Sequence, residues 1–216
     1  MASFEGFEYE VIIVGSGAGG GMAAHVLTQA GVKVLLLEAG RDYDPVSETP
    51  MFQQGHEAPL RGVSTSDKNF GYYDATVDGG WQVPGEPYTE ATDSRFMWWR
   101  ARMLGGRTNH WGRLVPRFTP ADFKPYSTDG VGTDWPVDYD EISPWYDQCE
   151  ELVGVCGDNP GLDDTPSSSD GVLLPPPKPR VMELLLKSAC ESLGIPAVPM
   201  RRAILTEPKD DREACF

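Results

Sequence analysis

The sequence predicts an α/β fold that begins with a βαβ unit, and three observations near its start predict it. Residues 9–14 form a short apolar run rich in β-branched side chains, which is typical of a buried strand. Residues 22–30 offer small and apolar side chains for packing a helix, and Gly31 ends it. Residues 33–37 form a second apolar run. A strand, a helix and a strand in this order favour a parallel sheet.

A glycine-rich loop with the pattern G-x-G-x-x-G joins the first strand to the helix. In this pattern the first glycine permits a tight turn, the second lets the backbone approach a pyrophosphate, and the third lets the helix pack on the sheet. The helix N-terminus adds free N–H groups and the positive end of the helix dipole. Rossmann-like units bind dinucleotides in this way, so we assign these loop residues to cofactor binding: Gly15, Ser16, Gly17, Ala18, Gly19 and Gly20.

An acidic residue, Glu38, follows the second strand directly. A carboxylate at this point accepts hydrogen bonds from the ribose hydroxyls of an adenosine, and it repels a 2′-phosphate. We therefore add Glu38 to the cofactor-binding residues and expect the site to disfavour NADP.

A second glycine-rich segment, residues 104–112, indicates which dinucleotide binds. An NAD domain would usually continue with further strands and helices at this point. FAD is longer, and its isoalloxazine end must meet a second backbone surface. The paired glycines Gly105 and Gly106 allow such a close approach. The segment therefore favours FAD.

The two glycine-rich segments resemble the flavin site of the glucose–methanol–choline (GMC) oxidoreductases. Residues 15–38 with Ala39-Gly40 carry the resemblance at one end, and residues 104–112 carry it at the other. The tryptophan- and tyrosine-containing stretch at 134–146 also resembles bacterial sugar and polyol dehydrogenases of this family. The run Thr108-Asn109-His110-Trp111 is similar to the pyranose-oxidase branch, in which a histidine after the glycines is bonded to the flavin.

The resemblance implies a glutathione-reductase-like FAD fold, a flavoprotein and a further set of FAD contacts: Gly105, Gly106, Thr108, Asn109 and His110. His110 would lie beside the flavin ring. A covalent link to this histidine is a hypothesis, and a noncovalent contact is the alternative.

The resemblance further implies an FAD-dependent oxidoreductase that moves a hydride from a CH–OH group of a sugar, polyol or alcohol to flavin N5. A dehydrogenase is favoured over an oxidase, and a quinone, a cytochrome and oxygen all stay open as electron acceptors. The family's catalytic base is a histidine far toward the C-terminus. Because His25, His56 and His110 lie in no such segment, we assign no catalytic residue in this chain. We expect a truncated sequence that is inactive and poorly stable alone.

Two other readings stay open. The chain could belong to another flavin- or NAD-dependent enzyme that shares only the dinucleotide unit. It could also be a dinucleotide-binding module without catalysis.

The rest of the chain predicts three regions. Residues 1–156 would be the FAD-binding domain with inserted loops and hairpins, including a hairpin turn at Asp78-Gly79 and a strand at 96–100. Residues 157–179 are rich in proline and serine and predict a linker. Residues 180–216 would begin a second, substrate-side segment that is incomplete. We expect helices at 138–153, opened by Asp138 and Glu141 as a capping box, and at 181–193, and a strand beginning at 203–206.

Composition excludes several classes of function. The net charge is −15 and there is no basic stripe, which argues against nucleic acid and against anionic membranes as partners. No apolar run is long enough to span a membrane, and residues 1–9 lack an apolar signal core, so the cytoplasm is the expected location. The four cysteines lack the spacing of a zinc site, and we assign no metal.

Overall fold

The computed structural model describes residues 6, 8–40, 42, 44, 89, 91–94 and 102–215. The chain divides into two compact units, Met1–Trp111 and Gly112–Phe216. The hairpin turn expected at Asp78-Gly79, the strand expected at 96–100 and His56 lie outside the described residues. The three regions expected from the sequence stay a prediction.

The first unit contains the βαβ element that the sequence predicts. Strand β1 is Val11–Val14, helix α1 is Ala18–Gln29 and strand β2 is Val34–Leu37. The two strands are parallel, with Val11 opposite Val34 and Val14 opposite Leu37. Helix α1 begins at Ala18 rather than at residue 22. Glycines are weak helix formers, so the run of three at 19–21 hid the true start, which packing against the turn imposes.

The alternation of side chains in β1 divides the small sheet into two faces. Ile13 is buried, and its Cγ2 lies 3.2 Å from the Cβ position of Gly20, so this face packs on α1. Ile12 and Val14 point the other way and are 63% and 82% exposed. The sheet is therefore covered by α1 on one face, and its other face carries open apolar side chains.

The named elements of the second unit are all helices, and long irregular segments join them. A short 3₁₀ helix, Pro120–Phe123, leads into α2, Pro125–Asp129. Helix α3 is Tyr139–Val153 and helix α4 is Val181–Ser192, which confirms both predicted helices. Among the described residues, no helix is both long and apolar enough to cross a membrane.

The capping box predicted for α3 is present. Asp138 Oδ1 accepts a hydrogen bond from the Glu141 N–H at 3.1 Å, and Glu141 Oε2 accepts one from the Asp138 N–H at 3.0 Å. Each side chain thus satisfies a donor that the first helical turn leaves open, and together they fix the start of the helix.

The strand expected at 203–206 is wrong. Arg202 and Cys156 exchange two backbone hydrogen bonds, of 2.8 and 2.9 Å, in an isolated antiparallel bridge. The pairing stops there because the Ile204 N–H turns back to the Arg202 carbonyl at 2.9 Å, which bends the chain out of an extended path.

A buried ionic cluster joins several segments of the second unit. The Arg117 side chain donates from Nε and Nη2 to the two carboxylate oxygens of Glu150, at 2.9 and 2.6 Å, and from Nη2 to Asp147 at 2.5 Å. Ser168 Oγ donates to the same Glu150 carboxylate at 2.6 Å, and Arg201 Nη1 lies 3.5 Å from it. Two positive and two negative charges are thereby paired in the interior, as buried charges require.

Candidate dinucleotide-binding site

The chain turns sharply where β1 meets α1. The N–H of Gly15 donates to the Leu37 carbonyl at 2.7 Å, which extends the pairing of the strands by one residue. Gly15 then takes a φ of +91°, a left-handed conformation that favours glycine. Five residues on, a Cβ at Gly20 would overlap the Gly15 carbonyl oxygen. The pattern glycines therefore bring the N-terminus of α1 directly onto the end of β1.

The N-terminus of α1 is open to an anion. Gly17 is the N-cap residue, and among the described residues no side chain caps the helix and no acidic residue lies in its first turn. The first N–H groups of any α-helix lack partners within the helix and carry the positive end of its dipole. No atom of the described residues lies within 4 Å of the Cβ position of Gly17, which leaves space beside the backbone in this part of the structure. These features fit a diphosphate.

Glu38 lies at the end of β2 with its carboxylate fixed in place. Its Oε2 accepts hydrogen bonds from Ser16 N at 2.9 Å and Ser16 Oγ at 2.5 Å, and its Oε1 accepts one from Gly40 N at 2.7 Å. The Ser16 hydroxyl and these backbone donors lower the pKa of Glu38 from its usual 4.5 to about 2. The carboxylate is therefore charged at neutral pH, and it has acceptor capacity left on Oε1 for a sugar hydroxyl.

The second glycine-rich segment lies against the first. Gly105 and Gly106 have φ values of +84° and +53°, and a 3₁₀ helix, Gly106–His110, follows. The Cβ position of Gly106 is 3.6 Å from the Gly17 Cα, so the structure brings the two predicted loops together. The absence of a side chain at Gly106 keeps the space in front of the α1 N-terminus narrow but open.

Two further predicted residues hold the second loop in shape. Thr108 Oγ1 donates to the Gly105 carbonyl at 2.5 Å, and Asn109 Nδ2 donates to the carbonyls of Leu104 and Gly106 at 2.8 and 3.1 Å. These contacts close the 3₁₀ turn locally. The backbone of His110 ends the turn, and its side chain lies outside the described residues.

Gly40 is a part of the site that sequence reasoning did not assign. Its N–H donates to Glu38, and a Cβ on it would overlap the backbone of Arg102 and Met103. Gly40 therefore lets the segment after β2 pass directly beside the segment that leads into the second loop. The sequence indicated it only through the family resemblance, in which Ala39-Gly40 follows the acidic residue. Across the described parts of the chain, no group of three histidine, cysteine, aspartate or glutamate residues could hold a metal ion.

Comparison with known proteins agrees with this geometry. A protein-family model described as an FAD binding domain matches residues 8–55, which include β1, α1, β2 and Glu38. The chain is 34% identical over 211 residues to 2-methyl-1,2-propanediol dehydrogenase of Mycolicibacterium austroafricanum, an alignment covering 95% of this chain and 35% of that protein. It is 30% identical over 235 residues to the fructose dehydrogenase large subunit of Gluconobacter japonicus, covering 99% of this chain and 40% of that protein.

A solved structure shows the same fold. Pyridoxine 4-oxidase from Mesorbium loti superimposes with a TM-score of 0.50 at 22% identity, over 95% of this chain and 38% of that one. The chain thus spans 35–40% of the length of these relatives. The family model and the site geometry together identify the cofactor as FAD.

Proposed function

Because this chain belongs to the glucose–methanol–choline oxidoreductase family and carries its FAD-binding segment, we propose that the protein oxidises a CH–OH group with FAD as hydride acceptor. The observation that carries the proposal is the arrangement at the end of the small sheet. An uncapped helix N-terminus lies beside a fixed carboxylate, and a second glycine loop faces both. This arrangement suits a diphosphate between an adenosine and a flavin.

Each part of the site has its own task. The N–H groups that follow Gly17 would bind the diphosphate oxygens, since they have no intrahelical partners and the first turn of α1 itself contains no acidic residue. The charged carboxylate of Glu38 would accept hydrogen bonds from the adenosine ribose. Gly105 and Gly106 would let the second loop approach the flavin closely, with His110 beside the ring. When bound, FAD supplies the hydride acceptor.

The substrate class follows from the relatives. Their names describe dehydrogenases of a diol and of a sugar, which supports a sugar, polyol or other alcohol as substrate. We propose a dehydrogenase rather than an oxidase. Oxidation of an alcohol also needs a base for the hydroxyl proton, and we assign this role to no histidine of this chain. A quinone, a cytochrome and oxygen all stay open as acceptors. We propose the cytoplasm as the location.

Anaerobic reduction of the flavin tests the proposal. The full-length natural protein, purified and loaded with flavin, is mixed with a series of polyols, sugars and simple alcohols, and the visible flavin absorption is followed. We expect a polyol or sugar to bleach the absorption, and an artificial electron acceptor to restore it. Bleaching by NADH alone would favour a different flavin enzyme. If the protein binds FAD but no alcohol reduces it, the result would favour a dinucleotide-binding module without catalysis.

A further inference from the structure

Ser16 lies at a junction of three segments in the first unit. It is 8% exposed, and it is the one buried residue of the glycine loop, residues 15–20. Its hydroxyl donates to Glu38 Oε2 at 2.5 Å and accepts a hydrogen bond from the Gly105 N–H at 2.8 Å. The same side chain therefore contacts the end of β2 and the start of the second glycine loop, which lies 89 residues away in sequence.

We infer that Ser16 is a positioning residue that couples the adenosine end of the FAD site to the flavin end. This inference rests on the proposed function. The hydroxyl has one proton to donate and accepts through its lone pairs, and both capacities are used here in one chain of hydrogen bonds. Gly105 donates to Ser16, and Ser16 donates to Glu38. A polarised chain of this kind fixes the positions of all three groups.

The hydroxyl is not required for the turn that binds phosphate. Gly15 supplies the left-handed backbone there, and Ser16 keeps its own N–H bond to Glu38 whatever its side chain is. The side chain has a separate task. Without its oxygen, the Glu38 carboxylate loses one of three donors, and the N–H of Gly105 loses its partner in a half-buried position. The carboxylate and the second loop would then move independently.

Loss of the Ser16 hydroxyl should weaken binding at both the adenosine end and the flavin end of FAD. The adenosine half binds at Glu38, so ADP reports on that end alone. FAD reports on both ends, since its flavin also meets the second loop. We expect Ser16→Ala to weaken ADP binding about tenfold and FAD binding by a larger factor, on the order of a hundredfold, because charge-assisted hydrogen bonds are strong.

Four variants of the purified protein test the inference. ADP and FAD are titrated into Ser16→Ala, Ser16→Cys, Glu38→Gln and the Ser16→Ala/Glu38→Gln double variant. Ser16→Cys keeps the side-chain volume but is a weak donor, so it should behave as Ser16→Ala does. Thr28→Ala is the matched control, since it removes an exposed hydroxyl of α1 that bonds only to helix carbonyls. It should bind both ligands as the parent protein does.

The double variant and amide exchange separate positioning from general stability. If Ser16 acts on ADP through Glu38, its effect should largely disappear in the Glu38→Gln background. The Gly105 amide should exchange faster in ligand-free Ser16→Ala than in the parent protein. Unchanged FAD affinity and unchanged Gly105 exchange in Ser16→Ala would overturn the inference while the proposed function stands. A parent protein that binds no FAD would overturn both.

Discussion

Gly20 packs so closely on Gly15 that a single added Cβ would overlap the Gly15 carbonyl oxygen. The same added atom would lie 3.2 Å from Ile13 Cγ2, in the only strongly buried part of β1. Helix α1 can therefore approach the end of β1 only because Gly20 has no side chain. This contact aims the helix N-terminus at the space in front of the sheet, where the diphosphate is proposed to bind.

Gly20→Ala should destabilise the first unit. The methyl group meets backbone that can move only by shifting the helix, and overpacking of this kind costs about 1–3 kcal/mol. The free energy of unfolding, measured with denaturant in the absence of FAD, should fall by that amount. FAD affinity should fall with it.

Gly21→Ala is the matched control for Gly20→Ala. Its Cβ would lie 3.5 Å from the Ser16 carbonyl oxygen, an ordinary contact. Alanine is a better helix former than glycine by about 1 kcal/mol, so this variant should be as stable as the parent or more so. Equal stabilities for the two alanine variants would contradict the packing described for α1.

Gly17→Ala should lower FAD affinity without unfolding the protein. Gly17 has a φ of −63°, which alanine adopts readily, and none of the residues placed by the structure has an atom within 4 Å of its Cβ position. The methyl group would instead occupy the space that the diphosphate needs. Titration should show at least a tenfold weaker binding, about 1.4 kcal/mol, with an unchanged unfolding midpoint for the ligand-free protein. Undiminished FAD affinity would show that the diphosphate does not bind at this helix end.

Glu38 should give the protein an acid-sensitive component of stability. Its pKa in the folded state is about 2, below the usual 4.5. A lowered pKa means that the charged form is favoured by folding, so the contribution is complete above about pH 4.5 and is lost as the pH falls toward 2. Glu38→Gln removes the titration. The stability difference between the parent protein and Glu38→Gln should therefore shrink across that acid range, and a constant difference would contradict the hydrogen bonds from Ser16.

Glu150→Ala should destabilise the second unit strongly. The substitution leaves Arg117 and Arg201 buried with one fewer negative charge, and breaking a buried ion pair costs about 3–5 kcal/mol. Glu191→Ala is the control, since Glu191 pairs with Lys187 at 3.9 Å on the exposed side of α4, where such pairs contribute about 0.3–0.5 kcal/mol. Similar losses in the two variants would show that the cluster around Glu150 is not what holds this unit.

Local patterns in the sequence predicted the parts of the fold that depend on neighbouring residues. The βαβ unit and the capping box of Asp138 are of this kind. The strand expected at 203–206 failed because a turn at Ile204, decided by one backbone hydrogen bond, leaves no trace in apolar patterning. Contacts between residues far apart in the sequence could not be predicted from local patterns either. Arg117 meets Glu150 across 33 residues, and Ser16 meets Gly105 across 89.

The sequence predicted which cofactor the site binds better than it predicted the hydrogen bonds within the site. Each glycine loop carries its own recognisable pattern, so the two were assigned to one cofactor without knowing that Gly106 lies beside Gly17. The bridging role of the Ser16 hydroxyl was not visible, because the second position of the pattern accepts many residues. The structure shows that the serine at this position accepts a hydrogen bond from Gly105 on the other loop.

Direct identification of the bound cofactor is the simplest test of FAD binding by this protein. The purified protein is denatured, and the small molecules released and any adduct left on the polypeptide are identified by mass spectrometry and visible spectroscopy. We predict FAD in an amount close to one per chain, or uptake of FAD to that level when it is added to ligand-free protein. A colourless protein that takes up no FAD, or that retains NAD instead, would contradict the assignment of this site to FAD.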